Sequence, residues 1–199
     1  MERSRPLDTR KLVLLALLTA IVVLLQILAI VFRPLFPAFT INLVLMPIIV
    51  GAALIGVYAG GWLGLASGFA ILLSGDAAPF MVVNPFGTIL VVLAKGLLSG
   101  LASGAVYKLF EKRNRTVAAI IAAVVCPIVN TGVFIIGTYV FFLPTIEEWG
   151  YAFGFDNATA YIFIGMVGVN FLIEFGLNII LCPVIVRLIQ YGQDRRIRA

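Results

Sequence analysis

Six apolar runs, roughly 11–32, 40–55, 56–73, 87–110, 116–142 and 161–189, occupy most of this chain and leave little sequence between them. A helix of about 20 apolar residues crosses a bilayer, so the runs predict an all-α fold. The expected form is a six-helix transmembrane bundle, a single integral membrane domain over 1–199. Runs two and three are short and nearly contiguous, which leaves open a broken or re-entrant unit in place of two full crossings. Hydrophobic residues make up 62% of the 199 positions, where about half is usual for a soluble chain. Such an excess has no interior to hide in except lipid.

The charges set an expected orientation. With the N-terminus inside, the cytoplasmic segments hold Arg3, Arg5, Arg10, Lys11, Lys108, Lys112, Arg113, Arg115, Arg187, Arg195, Arg196 and Arg198. Only Arg33 and Lys95 of the fourteen basic residues remain elsewhere. The opposite side carries Asp76, Glu147, Glu148 and Asp156. This is the positive-inside pattern, and it predicts an even number of crossings with both termini cytoplasmic. The net charge of +5 is thereby assigned to membrane orientation, and no nucleic-acid partner is expected. The first run follows four basic residues but is too long for a signal-peptide core, so it is expected to be retained as a span.

The chain has no histidine, which removes His-based triads and His zinc sites. Cys126 and Cys182 each sit in an apolar run before a proline, as buried small hydrophobes do. No catalytic residue, metal site or cofactor is expected, and the chain is not read as an enzyme.

Small residues recur at four-residue intervals: Gly56, Gly60, Gly64 and Gly68 in the third run, Gly96, Gly100 and Gly104 in the fourth, and Ala16 and Ala20 in the first. Residues four apart share a helix face, and small-xxx-small faces let helices approach closely in lipid. For the glycines this predicts packing within the bundle. For Ala16 and Ala20 it predicts a docking face for another membrane subunit.

Four polar residues fall at membrane depth. Counted from the outer ends of their runs at 1.5 Å per residue, Lys95 lies at ~12 Å, Asn170 at ~15 Å, Asn130 at ~18 Å and Glu174 at ~21 Å. Asn170, Glu174 and Asn178 share one face of the last helix. An ionised side chain at this depth costs roughly 2.5–3.5 kcal/mol on insertion scales, so it must meet a partner or a cavity. Two readings stand: a Lys95–Glu174 ion pair that locks the bundle, or an outward-facing pocket for a polar small molecule. The outer segments over this band are 33–39, 74–86 and 143–160. They add Asn84 to the candidate ligand contacts, and Phe80, Phe86, Trp149 and Tyr151 as aromatic surfaces for a planar ligand or as interfacial anchors.

In length, six-run architecture and cytoplasmic ends the chain resembles the substrate-binding S-components of energy-coupling-factor (ECF) vitamin transporters of prokaryotes. The segment LALLTAIVVLLQ carries Ala16 and Ala20 in the AxxxA pattern of that family. The segments AKGLLSGLASGAVYKLFEK and NFLIEFGLNIILCPVIVRLI are similar to the fourth and sixth helices of its riboflavin/pantothenate-type branch. The resemblance implies a plasma-membrane subunit that captures a vitamin-like molecule from outside, with riboflavin or pantothenate as candidates. It also implies delivery together with a transmembrane coupling protein and two ATP-binding subunits, with Ala16 and Ala20 at the coupling protein. The chain has no GxxxxGK[ST] phosphate loop of its own. The competing class is a self-sufficient secondary transporter of a small polar metabolite, with Glu174 as proton carrier. Such proteins usually show internal repeats, and here the echo is limited to CPIV at Cys126 and CPVI at Cys182.

Overall fold

The computed structural model describes residues 9–32 and 43–197. Every regular element among them is helical: α1 (Thr9–Phe32), α2 (Leu45–Leu54), α3 (Val57–Ser74), α4 (Ala78–Val83), α5 (Pro85–Phe110), α6 (Arg115–Phe141), α7 (Leu143–Ala152), α8 (Ala158–Ala160), a π-helical stretch (Tyr161–Gly168) and α9 (Val169–Ile197). The outer segment 33–39 expected from the sequence lies outside the described residues.

Five of these helical segments are long and apolar enough to cross a membrane: Thr9–Ala29, Val57–Ser74, Pro85–Phe110, Arg115–Phe141 and Ala158–Tyr191. The run at 40–55 differs from expectation. Its described helix, α2, has ten residues and so reaches ~15 Å, about half of a hydrocarbon core. It is also buried along most of its length, through Leu45, Pro47, Ile48, Ile49, Val50, Gly51 and Ala52. Hydropathy alone does not separate a lipid-facing span from a short helix wrapped by others, because both are apolar all round. The break between α2 and α3 falls at Gly56, whose φ of 142° is open to glycine and strained for other residues.

The two glycine stripes meet. Gly64 stands against the backbone carbonyl of Gly96, and Gly60 against that of Gly100. A Cβ on Gly60 would lie 2.6 Å from the Gly100 oxygen and 2.6 Å from the Ala52 Cβ. The packing expected of the stripes is thus found as a backbone-to-backbone seam between α3 and α5. α5 packs on α3 at one side and on α6 at the other, while α9 lies against α6 and α2. A buried cluster including Val22, Leu45, Ile48, Ile49, Leu63, Tyr107, Ala122, Cys126 and Ile185 fills the middle of the bundle.

The outer segments are more ordered than connecting loops. α3 ends at Gly75, in the left-handed region at φ 79°. After it the 74–86 segment forms α4, and the 143–160 segment forms α7 and enters α8. Pro79 and Pro144 each stand in the first turn of their short helix, where a missing N–H costs nothing. Asn157 accepts the Ala160 N–H at 2.8 Å as the cap of α8, and the Tyr139 hydroxyl donates to the Thr159 hydroxyl at 3.0 Å.

Candidate functional site

The site is built from the inner faces of α5, α6 and α9 and roofed by α4 and α7. Lys95 projects from α5 toward α6, with its Nζ 5.3 Å from the centre of the Phe134 ring. A cation over an aromatic face gains electrostatic energy from the ring quadrupole, which gives the ammonium a partner in an otherwise apolar layer. Glu174 on α9 and Asp76 in the turn before α4 are both near enough for their fields to act on that ammonium. One carboxylate oxygen of Glu174 is fully buried. Glu174, expected from the sequence to share this layer, is joined in its influence on Lys95 by Asp76, which the sequence reading had placed only on the outer side.

Asn130 is buried on α6, 9% exposed, one helical turn from Phe134 on the same face. Asn178 is also buried, and its Nδ2 donates to the Glu174 carbonyl at 2.8 Å. Asn170 lies in α9 one turn before Glu174, but its side chain falls outside the described residues. Asn84 has a definite local duty. Its Oδ1 accepts the Gly87 N–H at 2.9 Å as the cap of α5, and Pro85 fills the first helical position, as is usual there. Asn84 therefore fixes where α5 begins, ten residues before Lys95.

The roof is aromatic. Phe80 of α4 makes edge-on contacts with Phe134 at 5.9 Å, Phe142 at 5.1 Å and Trp149 at 5.6 Å, so one ring joins α4, α6 and α7. Of the four aromatic residues singled out in the sequence, Phe80 and Trp149 belong to this roof. Phe86 and Tyr151 do not, at 73% and 64% exposed.

Beneath Lys95 the polar face of α5 continues through Ser99 and Ser103, both wholly buried and both set against the Cys126 thiol of α6. Sequence reasoning passed over these serines. The four-residue step from Lys95 to Ser99 to Ser103 was the available signal, masked by the glycines that interleave it. Among the described residues no group of three His, Cys, Asp or Glu side chains is placed to hold a metal ion.

A second feature lies on α1. Ala16 and Ala20 line an apolar groove of about 730 Å³ with Leu12, Leu15, Thr19, Val23, Leu24, Ile27 and Trp62. The Trp62 indole N–H donates to the Thr19 hydroxyl at 3.3 Å across the α1–α3 junction. This face of α1 is open because the helix buries only its opposite stripe, Leu18, Val22 and Gln26.

The family model of the ECF transporter substrate-specific component matches residues 10–186. No curated protein and no solved structure matches the chain.

Proposed function

The chain belongs to the ECF transporter substrate-specific component family, and from that premise we propose that it captures a vitamin-like small molecule at the Lys95 site from outside the cell. Membership makes it a multi-pass, substrate-specific membrane subunit of a transporter, working with an ECF coupling protein and ATP-binding subunits. The observation that carries the capture reading is the placement of Lys95. Its ammonium lies over Phe134, Phe80 packs on that same ring, and the charges of Glu174 and Asp76 act on it. Lys95 suits a carboxylate or phosphate of the ligand, and Glu174, Asn130 and Asn170 suit its amide or hydroxyl donors. Riboflavin and pantothenate both present such groups and head the candidates. Asn84 serves the site by starting α5 in register, and its amide nitrogen is left for a ligand acceptor.

The charge distribution favours both termini on the cytoplasmic side of a prokaryotic plasma membrane. That requires an even count of crossings, and so assigns the second crossing to the run containing α2. A helix too short to span is tolerated there because protein, not lipid, surrounds it. Ala16 and Ala20 are the proposed contact with the coupling protein, since the groove they line accepts a neighbouring helix closely.

The test is to purify the chain alone, identify any co-purifying small molecule by mass spectrometry, and titrate the stripped protein with a vitamin panel. Tight binding of one vitamin, with uptake only when the coupling protein and ATP-binding subunits are present, supports the reading. The buried carboxylate of Glu174 favours a second one, a self-sufficient secondary transporter. Ion-gradient-driven uptake by the chain alone in proteoliposomes would establish that instead.

A further inference from the structure

The groove on α1 and the turn that leads to the Phe80 roof are connected by one partly buried hydrogen bond. Gln26 stands on the interior stripe of α1, one position from Ile27 of the groove, and is 5% exposed. Its Nε2 donates to Asp76 Oδ2 at 2.8 Å. Asp76 sits in the tight turn that launches α4. The turn is held by the Asp76 N–H on Ser74 Oγ at 3.3 Å and the Ala78 N–H on the Gly75 carbonyl at 3.0 Å. Four residues on, Phe80 rests on Phe134, the ring beneath the Lys95 ammonium.

We propose that the Gln26–Asp76 bond is an occupancy tie, through which loading of the Lys95 site and docking at the α1 groove bias each other. This rests on the readings of Lys95 as a ligand residue and of the groove as the docking face. Asp76 belongs to both ends of the connection. It is bonded to α1, and its charge acts on the ammonium that an anionic ligand group would engage. A ligand anion at Lys95 competes with Asp76 for that ammonium, and the turn, the roof and α1 respond together because a hydrogen bond to a carboxylate is strong and the buried Gln26 amide is costly to leave without its acceptor. Coupling of this kind is reciprocal: whatever docking does to ligand affinity, the ligand does to docking affinity.

A double-mutant cycle tests the tie without any ligand. The affinity of the full chain in nanodiscs for the ECF coupling protein with its ATP-binding subunits is measured for four forms: unaltered, Lys95→Met, Gln26→Leu and the double variant. Lys95→Met removes the charge that Asp76 faces. It should shift the affinity at least about fivefold in the unaltered background and less than about twofold when Gln26 is leucine. Asp76→Asn, which keeps an acceptor for Gln26 but not the charge, should abolish the Lys95→Met effect while leaving the fold intact. An equal Lys95→Met shift in all backgrounds, or none in any, overturns the tie and leaves the capture reading standing. Failure of the unaltered chain to bind the coupling protein overturns the docking reading and the tie with it.

Discussion

Lys95 and Phe134 meet across the α5–α6 seam with the ammonium 5.3 Å from the ring centre, at the depth where α5 is otherwise lined by glycine and aliphatic side chains. The ring is the partner of that charge, and the carboxylates of Glu174 and Asp76 act on it as well. Lys95→Ala should therefore weaken binding of the captured vitamin about 10- to 100-fold, the range expected for one hydrogen bond to a charged group. The variant should still migrate as a folded monodisperse protein in detergent. Titration calorimetry beside size-exclusion chromatography reads both. A chain that misfolds on this substitution would mark Lys95 as part of a structural ion pair instead.

Ala16→Trp places a large ring in the groove beside Trp62. Ligand binding by the isolated chain should be unchanged, and uptake by the reconstituted transporter should fall to background. Uptake at the unaltered level would remove Ala16 and its face from the docking surface.

Gly64→Ala should be among the most damaging single substitutions in the protein, because its Cβ would meet the Gly96 backbone carbonyl. Overpacking of this kind costs about 1–3 kcal/mol or more, and a backbone atom cannot swing aside as a side chain can. Gly132→Ala on α6 is the matched control, with nothing within 4 Å of the added carbon. Thermal unfolding in one detergent should show a clear drop for the first and little change for the second. Equal melting temperatures would mean that the seam relaxes freely.

Asn84 separates structural from ligand-binding duty by a pair of variants. Asn84→Ala loses the α5 cap, a change worth about 1 kcal/mol of stability. Asn84→Asp keeps the acceptor for the Gly87 N–H while removing the amide donor. If the cap is its whole role, the aspartate variant should bind the vitamin as the unaltered chain does. A selective loss of affinity in Asn84→Asp, at unchanged melting temperature, would assign the amide to the ligand.

The membrane class, the all-helical fold and the packing of the glycine stripes within the bundle were legible in the sequence. They follow from periodicity and from the cost of charge in lipid, which act along a single helix and need no neighbour to be known. The span of α2 was not legible, because a ten-residue helix buried by protein and a full crossing in lipid present the same apolar composition. Nor was the roof. Phe80, Phe86, Trp149 and Tyr151 are alike as residues, and only the turn at Gly75 and the course of α7 bring two of them together beside Phe134 and leave two at the surface. The Gln26–Asp76 contact spans fifty positions, and nothing local to either residue points to the other. What the sequence determined by itself is which groups must leave the lipid. Which partner each one found was decided by the tertiary structure, since pairing depends on how far each helix turns and slides against the next.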